Sequence, residues 1–242
     1  MRYRINLCYD GGPFHGWQVQ PGEVSVQGTL QDALETLLRE PCPVVGAGRT
    51  DTGVNASFYT AHFDAAPGID CAGLAKRLNG ILPASIAVSG IEAVCDDFHA
   101  RFSARRREYV YYLNRTKDPF ASHSYFYGYP EVDFDAMNRS AAYLLGTHDF
   151  SCFEKTGGDN KTSICTIYEA GWHKSDENHW YFRIAADRFL RNMVRAIVGT
   201  LLEVGRGKRA EDSVAALVAS GTRCDAGESV PGEALFLSDI EY

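Results

Sequence analysis

One carboxylate and one guanidinium two residues apart, Asp51 and Arg49, stand in a stretch with three glycines, Gly46-Ala47-Gly48-Arg49-Thr50-Asp51-Thr52-Gly53. The glycines permit tight or positive-φ backbone. The stretch is not a phosphate loop, because neither GxxxxGK[ST] nor GxGxxG fits its spacing. Two readings remain: an ordinary turn, or a loop that presents Asp51 as a nucleophile with Arg49 to keep it charged and oriented.

A second group joins cations to aromatic rings. Arg101, Arg105, Arg106 and Arg107 run into Tyr109, Tyr111 and Tyr112. A strand starting near Glu108 puts Tyr109 and Tyr111 on one face, which suits either a core or a base-stacking surface. Farther on, Arg188, Arg191 and Arg195 fall at i, i+3 and i+7, which on a helix would align them for phosphates or leave them as a solvated face. His15, His99 and His148 lack metal-ligand spacing to another His or Cys, so no metal is expected.

The chain has 242 residues and a net charge of -7, which taken whole argues against a nucleic-acid partner. Its distribution argues the other way. Arg101 to Lys117 holds six basic residues against Glu108 alone, and Arg183 to Arg209 holds seven against Asp187 and Glu203, a local excess of +5 each time. Two such runs beside aromatic residues suggest a groove for a polyanion. The seven cysteines never come closer than thirteen residues to one another, which suits small reduced core residues rather than a disulfide framework or zinc site. Met1 to Asp10 carries arginines and then alternation, with no apolar run long enough for a signal peptide or membrane span, and a cytoplasmic setting is expected.

The elements that must carry these residues follow from periodicity. Arg2 to Tyr9 alternates as a strand, and Val26 to Arg39 has helical spacing after the N-cap candidate Ser25. A short strand enters Gly46, and another is expected near Phe58 to Phe63. A helix capped by Asp70 and a strand from Ile86 to Ala93 complete the first half. In the second half, strands are expected at Glu108 to Leu113, Ser163 to His173, His179 to Ala186 and Leu235 to Ile240. Helices are expected at Asp133 to Leu145, Phe189 to Val204 and Glu211 to Ala219. The pattern predicts an α+β protein of two similar halves, residues 1–104 and 105–242, sharing one extended sheet or cleft.

Several motifs resemble the tRNA pseudouridine synthase A family nearly end to end. They are Tyr9-Asp10-Gly11, Phe14-His15-Gly16-Trp17-Gln18, Gly48-Arg49-Thr50-Asp51-Thr52-Gly53-Val54, Leu78-Asn79-Gly80-Ile81-Leu82-Pro83, Asp97-Phe98-His99-Ala100-Arg101-Phe102-Ser103-Ala104 and Met193-Val194-Arg195-Ala196-Ile197-Val198-Gly199. The resemblance implies two RNA-recognition or ferredoxin-like halves joined into an extended antiparallel sheet with a central cleft. It also implies a homodimer, no cofactor, and uridine at position 38, 39 or 40 of the tRNA anticodon arm as substrate. By position it puts the nucleophile on Asp51, its partner on Arg49, the active-site tyrosine on Tyr109 and a base-packing leucine on Leu235. Phosphate contacts are then expected from Arg106, Arg107, Arg188 and Arg191. Ala234 stands where the family commonly has glycine, Thr52 where alanine is common, and Asn55 where histidine is common.

Two other classes compete. A non-catalytic RRM-like RNA-binding module would use the basic and aromatic segments alone, but it lacks the RNP1 pattern and has no need of Arg49-Thr50-Asp51 between glycines. A carboxylate glycosidase needs a second acid, and the sequence singles out none near Asp51.

Overall fold

The computed structural model describes residues 1–157 and 161–242. In chain order its first elements are β1 (Arg2–Tyr9), α1 (Val26–Leu38), β2 (Val45–Gly46), β3 (Asn55–Asp64), α2 (Cys71–Ile81) and β4 (Ile86–Val94). There follow β5 (Arg106–Asn114), β6 (Tyr125–Phe126), α3 (Phe134–Ala141), β7 (Gly146–Asp149), β8 (Ile164–Lys174) and β9 (His179–Ala186). The chain closes with α4 (Met193–Gly205), α5 (Ser213–Ser220) and β10 (Leu235–Glu241). Contacts divide these into two compact units, Met1–Arg105 with Phe236–Tyr242, and Arg106–Leu235.

In the first unit β1 buries Tyr3, Ile5, Leu7 and Tyr9, every second residue, so one face is core and the other carries Arg2, Arg4 and Asn6. Its neighbours β3 and β4 both run antiparallel to it. The long β3 has two further partners: β2 pairs antiparallel at His62 and Ala61, and β10 pairs parallel at Asn55 and Ala56. Leu30 and Leu34 of α1, with Leu74 and Leu78 of α2, are fully buried. Ser25 and Asp70 cap these helices by accepting the Gly28 and Gly73 amides. Asn79 ties α2 to β4, its amide group exchanging two 2.8 Å hydrogen bonds with the backbone of Val88.

In the second unit β5, β9, β8 and β7 form an antiparallel sheet in that order, with β6 parallel to the end of β5. Helix α3 is held to β8 by Asn138, whose side chain bonds both the amide and the carbonyl of Trp172. It crosses α4 so closely that a Cβ on Gly205 would collide with Met137. The first unit runs β-α-β-β-α-β, whereas here β7, β8 and β9 form a meander beside β5. With the short β6 and β7 set aside, β5-α3-β8-β9-α4 repeats the β-α-β-β-α order of the first unit, and β5, β9 and β8 are neighbours in the order of β1, β3 and β2.

Two helices differ from expectation. The long helix begins at Met193 rather than Phe189, because Asn192 lies in the left-handed region with φ 64°. Leu190 still reaches the core through a turn closed by the Met193 amide on the Leu190 carbonyl, so the apolar period continues where the helix does not. Arg188 and Arg191 consequently share no helix with Arg195. The helix expected over Asp133 to Leu145 ends at Ala141 and tightens into a 3-10 turn, Ala142–Leu144.

Candidate functional site

The loop from Ala47 to Val54 is fixed from both sides within the first unit. Where β2 enters it, a Cβ on Gly46 would collide with the Tyr59 hydroxyl and the Trp17 ring, which stack at 4.1 Å. The Ala47 amide bonds the Thr60 carbonyl at 2.9 Å, and the Tyr59 hydroxyl donates to the Gly48 carbonyl. Thr50 is buried, with Oγ1 2.9 Å from the Tyr9 hydroxyl and its carbonyl accepting the Trp17 amide at 3.2 Å. The loop closes in a turn, Val54 amide to Asp51 carbonyl at 3.1 Å, with Gly53 at φ 76°.

Two glycines outside the loop let the backbone come that near. A Cβ on Gly16, at φ 86°, would collide with the Thr50 carbonyl oxygen, and one on Gly11 with that of Val54. The Gly11 amide also bonds Asn55 Oδ1 at 2.8 Å. With Thr50 turned inward as the anchor, its neighbours face out: Arg49 is exposed and Asp51 half-buried. A carboxylate on so constrained a backbone is placed before substrate arrives, as nucleophilic or general-base chemistry requires. The residue types of this loop were legible in sequence. Its anchors Tyr9, Gly11, Gly16 and Trp17 were visible only as separate motifs.

In the second unit Tyr109 is half-buried on β5 opposite Ile184, its ring edge-on to Phe189 at 5.1 Å and 87°. Tyr111, on the same face, is the core tyrosine: it is fully buried, its hydroxyl has no hydrogen-bond partner among the described residues, and burial raises its pKa. Arg107 donates from Nη1 to the Asp187 carbonyl at 2.8 Å. Asp187, counted in the sequence only as a charge, organises the turn that follows, its Oδ1 accepting the Thr166 amide at 2.8 Å and the Arg188 amide at 2.7 Å. Arg107 and Tyr109 thus lie alongside Asp187–Phe189, with Arg188 half-buried and Arg191 exposed in that connection.

Arg106 behaves differently. Strand alternation turns it to the face opposite Tyr109, where it bonds Glu108 at 3.0 Å and lies 3.9 Å from Glu169. Leu235 is buried, its amide on the Gly232 carbonyl, and Ala234 before it accepts the Tyr112 amide at 3.0 Å.

Other chemistries find less support. His15 is exposed beside Glu23 at 2.9 Å. Among the described residues no group of three or more His, Cys, Asp and Glu could hold a metal ion. Burial pushes the Cys152 thiol up to about 11 and those of Cys42 and Cys165 to about 12, so these three are not thiolate nucleophiles at neutral pH. Among the described residues no helix is long and apolar enough to cross a membrane.

A family model described as tRNA pseudouridine synthase matches residues 140–242. A Bacteroides fragilis protein named tRNA pseudouridine synthase A is 49% identical over 242 residues, covering 100% of this chain and 96% of its own length. Proteins of the same name from Parabacteroides distasonis and Bacillus licheniformis are 50% and 40% identical, each over 100% of this chain and over 96% and 99% of their own lengths. Among solved structures, the crystal structure of the archaeal box H/ACA sRNP Nop10-Cbf5 complex aligns at a TM-score of 0.41 and 14% identity, covering 84% of this chain and 44% of that one, a likeness too distant to bear on the fold.

Proposed function

Because the chain belongs to the tRNA pseudouridine synthase A family, we propose that it isomerises uridine to pseudouridine in tRNA with Asp51 as nucleophile. The observation that carries the assignment is the half-buried Asp51 on a loop pinned through Thr50 to Tyr9 and Trp17. The reaction breaks the bond from ribose C1′ to base N1, turns the uracil, and joins C1′ to C5. The C5 proton is lost and N1 ends protonated. A carboxylate can serve by adding to C1′, by a glycal route, or by adding to C6. All three need it in contact with a nucleotide flipped out of its stack, which costs about a few kcal/mol.

The remaining roles form one reading. Arg49 pairs with and orients the carboxylate, and Tyr109 and Leu235 pack the flipped base. Arg107, Arg188 and Arg191 meet phosphates, while Arg106 is already engaged by Glu108 and Glu169. The target is uridine at position 38, 39 or 40 of the anticodon arm, the working form a homodimer, and the setting the cytoplasm. The β-α-β-β-α-β order of the first unit supports reading it as ferredoxin-like. No organic cofactor enters any step.

The test is single-turnover pseudouridine formation on unmodified tRNA at saturating enzyme. Asp51→Asn keeps the shape and loses the nucleophile, so it should fold, bind tRNA and turn over several orders of magnitude more slowly. A rate within about tenfold of wild type, a barrier change of only about 1.4 kcal/mol, would make Asp51 a turn residue.

A further inference from the structure

Within the first unit, the connection Phe98–Ser103 is pinned at almost every residue. His99 Nδ1 accepts the amides of Arg101 and Phe102 at 3.2 and 3.3 Å, and the His99 amide donates to Ser103 Oγ at 3.0 Å. The Ala100 amide donates to buried His62 Nδ1 at 3.1 Å, and its carbonyl accepts the Tyr242 hydroxyl at 2.9 Å. The Phe98 carbonyl accepts Arg2 Nη1, and its ring packs on Tyr242 at 5.0 Å. Yet this connection holds Phe102 76% exposed. The Phe102 ring lies 4.3 Å from that of His99, tilted by 34°, and the Arg101 guanidinium sits 5.6 Å from its centroid.

A single exposed phenylalanine on a loose loop would need no explanation. Here many hydrogen bonds hold the ring in water, so its ordering cost is met before any partner arrives. An aromatic face with a guanidinium beside it is what a nucleobase and its phosphate recognise, since every base has a π-face to stack. Burial and the Arg2 charge lower the His99 pKa, which favours the neutral ring whose Nδ1 accepts both amides.

We propose that Phe102, backed by His99, is a stacking platform for one unpaired base of the substrate RNA, with Arg101 at the adjoining phosphate. The inference rests on the tRNA reading above, but it concerns residues outside the Asp51 loop and survives whatever role Asp51 has.

The test uses the full chain and an unmodified tRNA transcript. Phe102→Ala, whose side chain is mostly in water, should keep the wild-type unfolding temperature and weaken Kd about 5- to 150-fold. Phe102→Trp should retain affinity, and Phe102→Leu should not. Transcripts with abasic sites placed one at a time across the anticodon loop should reveal one position whose loss weakens wild type but no longer weakens Phe102→Ala. Equal Kd for wild type and Phe102→Ala, or full affinity in Phe102→Leu, overturns the proposal. So does a change in self-association of Phe102→Ala, measured by sedimentation, with RNA affinity intact, since the ring then serves a second copy of the chain. If wild type forms pseudouridine while these outcomes fail, only the platform is wrong; if wild type neither binds nor converts tRNA, both readings fall.

Discussion

Gly16 and Gly22 offer a matched pair for testing whether the Asp51 loop is held from outside. Both have positive φ, 86° and 80°, so alanine at either pays the left-handed backbone penalty of roughly 1–2 kcal/mol. They differ in surroundings. A Cβ on Gly22 meets nothing, while one on Gly16 would press into the Thr50 carbonyl oxygen and lie 3.1 Å from the Asp51 carbonyl carbon. Neither neighbour is the end of a flexible side chain, so backbone must move, at a further cost of about 1–3 kcal/mol. The part that moves is the peptide bearing Asp51, and misplacement by about 1 Å can cost roughly a hundredfold in rate. In urea unfolding, Gly22→Ala should lose about 1–2 kcal/mol and keep its single-turnover rate. Gly16→Ala should lose about 2–5 kcal/mol and turn over at least about a hundredfold more slowly per folded molecule. If the two variants match in both stability and rate, the anchoring argument is refuted.

Stability should depend on pH through His62, whose pKa burial and the Arg2 charge lower to about 4 while Nδ1 accepts the Ala100 amide. The unfolded state then binds the extra proton between about pH 6.5 and 4, so this contribution is full above 6.5 and is lost as pH falls. It should amount to about 2 kcal/mol between pH 7 and 5, measurable by urea titration; a His62→Gln variant with an unchanged pH slope would exclude His62 as the cause. For tRNA binding, Arg191→Ala should flatten the dependence of log affinity on log salt by about 0.7 to 0.9, whereas Arg106→Ala should leave it nearly unchanged, since Glu108 and Glu169 already neutralise that charge. Equal effects of the two variants would mean that the ion pairs of Arg106 open on binding.

What the sequence revealed depended on how local the determining physics was. Strand β1 has the bounds its alternation predicts, and Ser25 and Asp70 cap their helices, because these features are settled within a few residues. The start of α4 was not legible. An apolar period reports which side chains are buried, and Leu190 is buried, but it carries no information on the φ of Asn192. In the candidate site, the residue types around Asp51 were readable, whereas the Tyr9–Thr50 hydrogen bond spans 41 residues of chain. Strand alternation by itself could not distinguish the two tyrosines sharing a face of β5, since packing alone buries Tyr111 and leaves Tyr109 half-exposed.

Charge counting shows the same limit and leads to a physical consequence. The run from Arg183 to Arg209 has an excess of +5, but its cations are not equivalent. Arg209 bonds Glu203 at 2.8 Å, Arg183 lies 3.6 Å from Glu169, Arg195 gives Nε to the Val230 carbonyl at 2.7 Å, and Arg206 lies 3.5 Å over the Tyr129 ring. Releasing any of these for a phosphate would forfeit a contact that already holds the fold, so much of the apparent excess is structural. An acidic protein that commits its arginines this way gains fewer counterion-release contacts than its sequence suggests. On the function proposed above, selectivity for RNA then draws more on shape and on aromatic surfaces such as Tyr109 with Phe189, terms that salt does not screen.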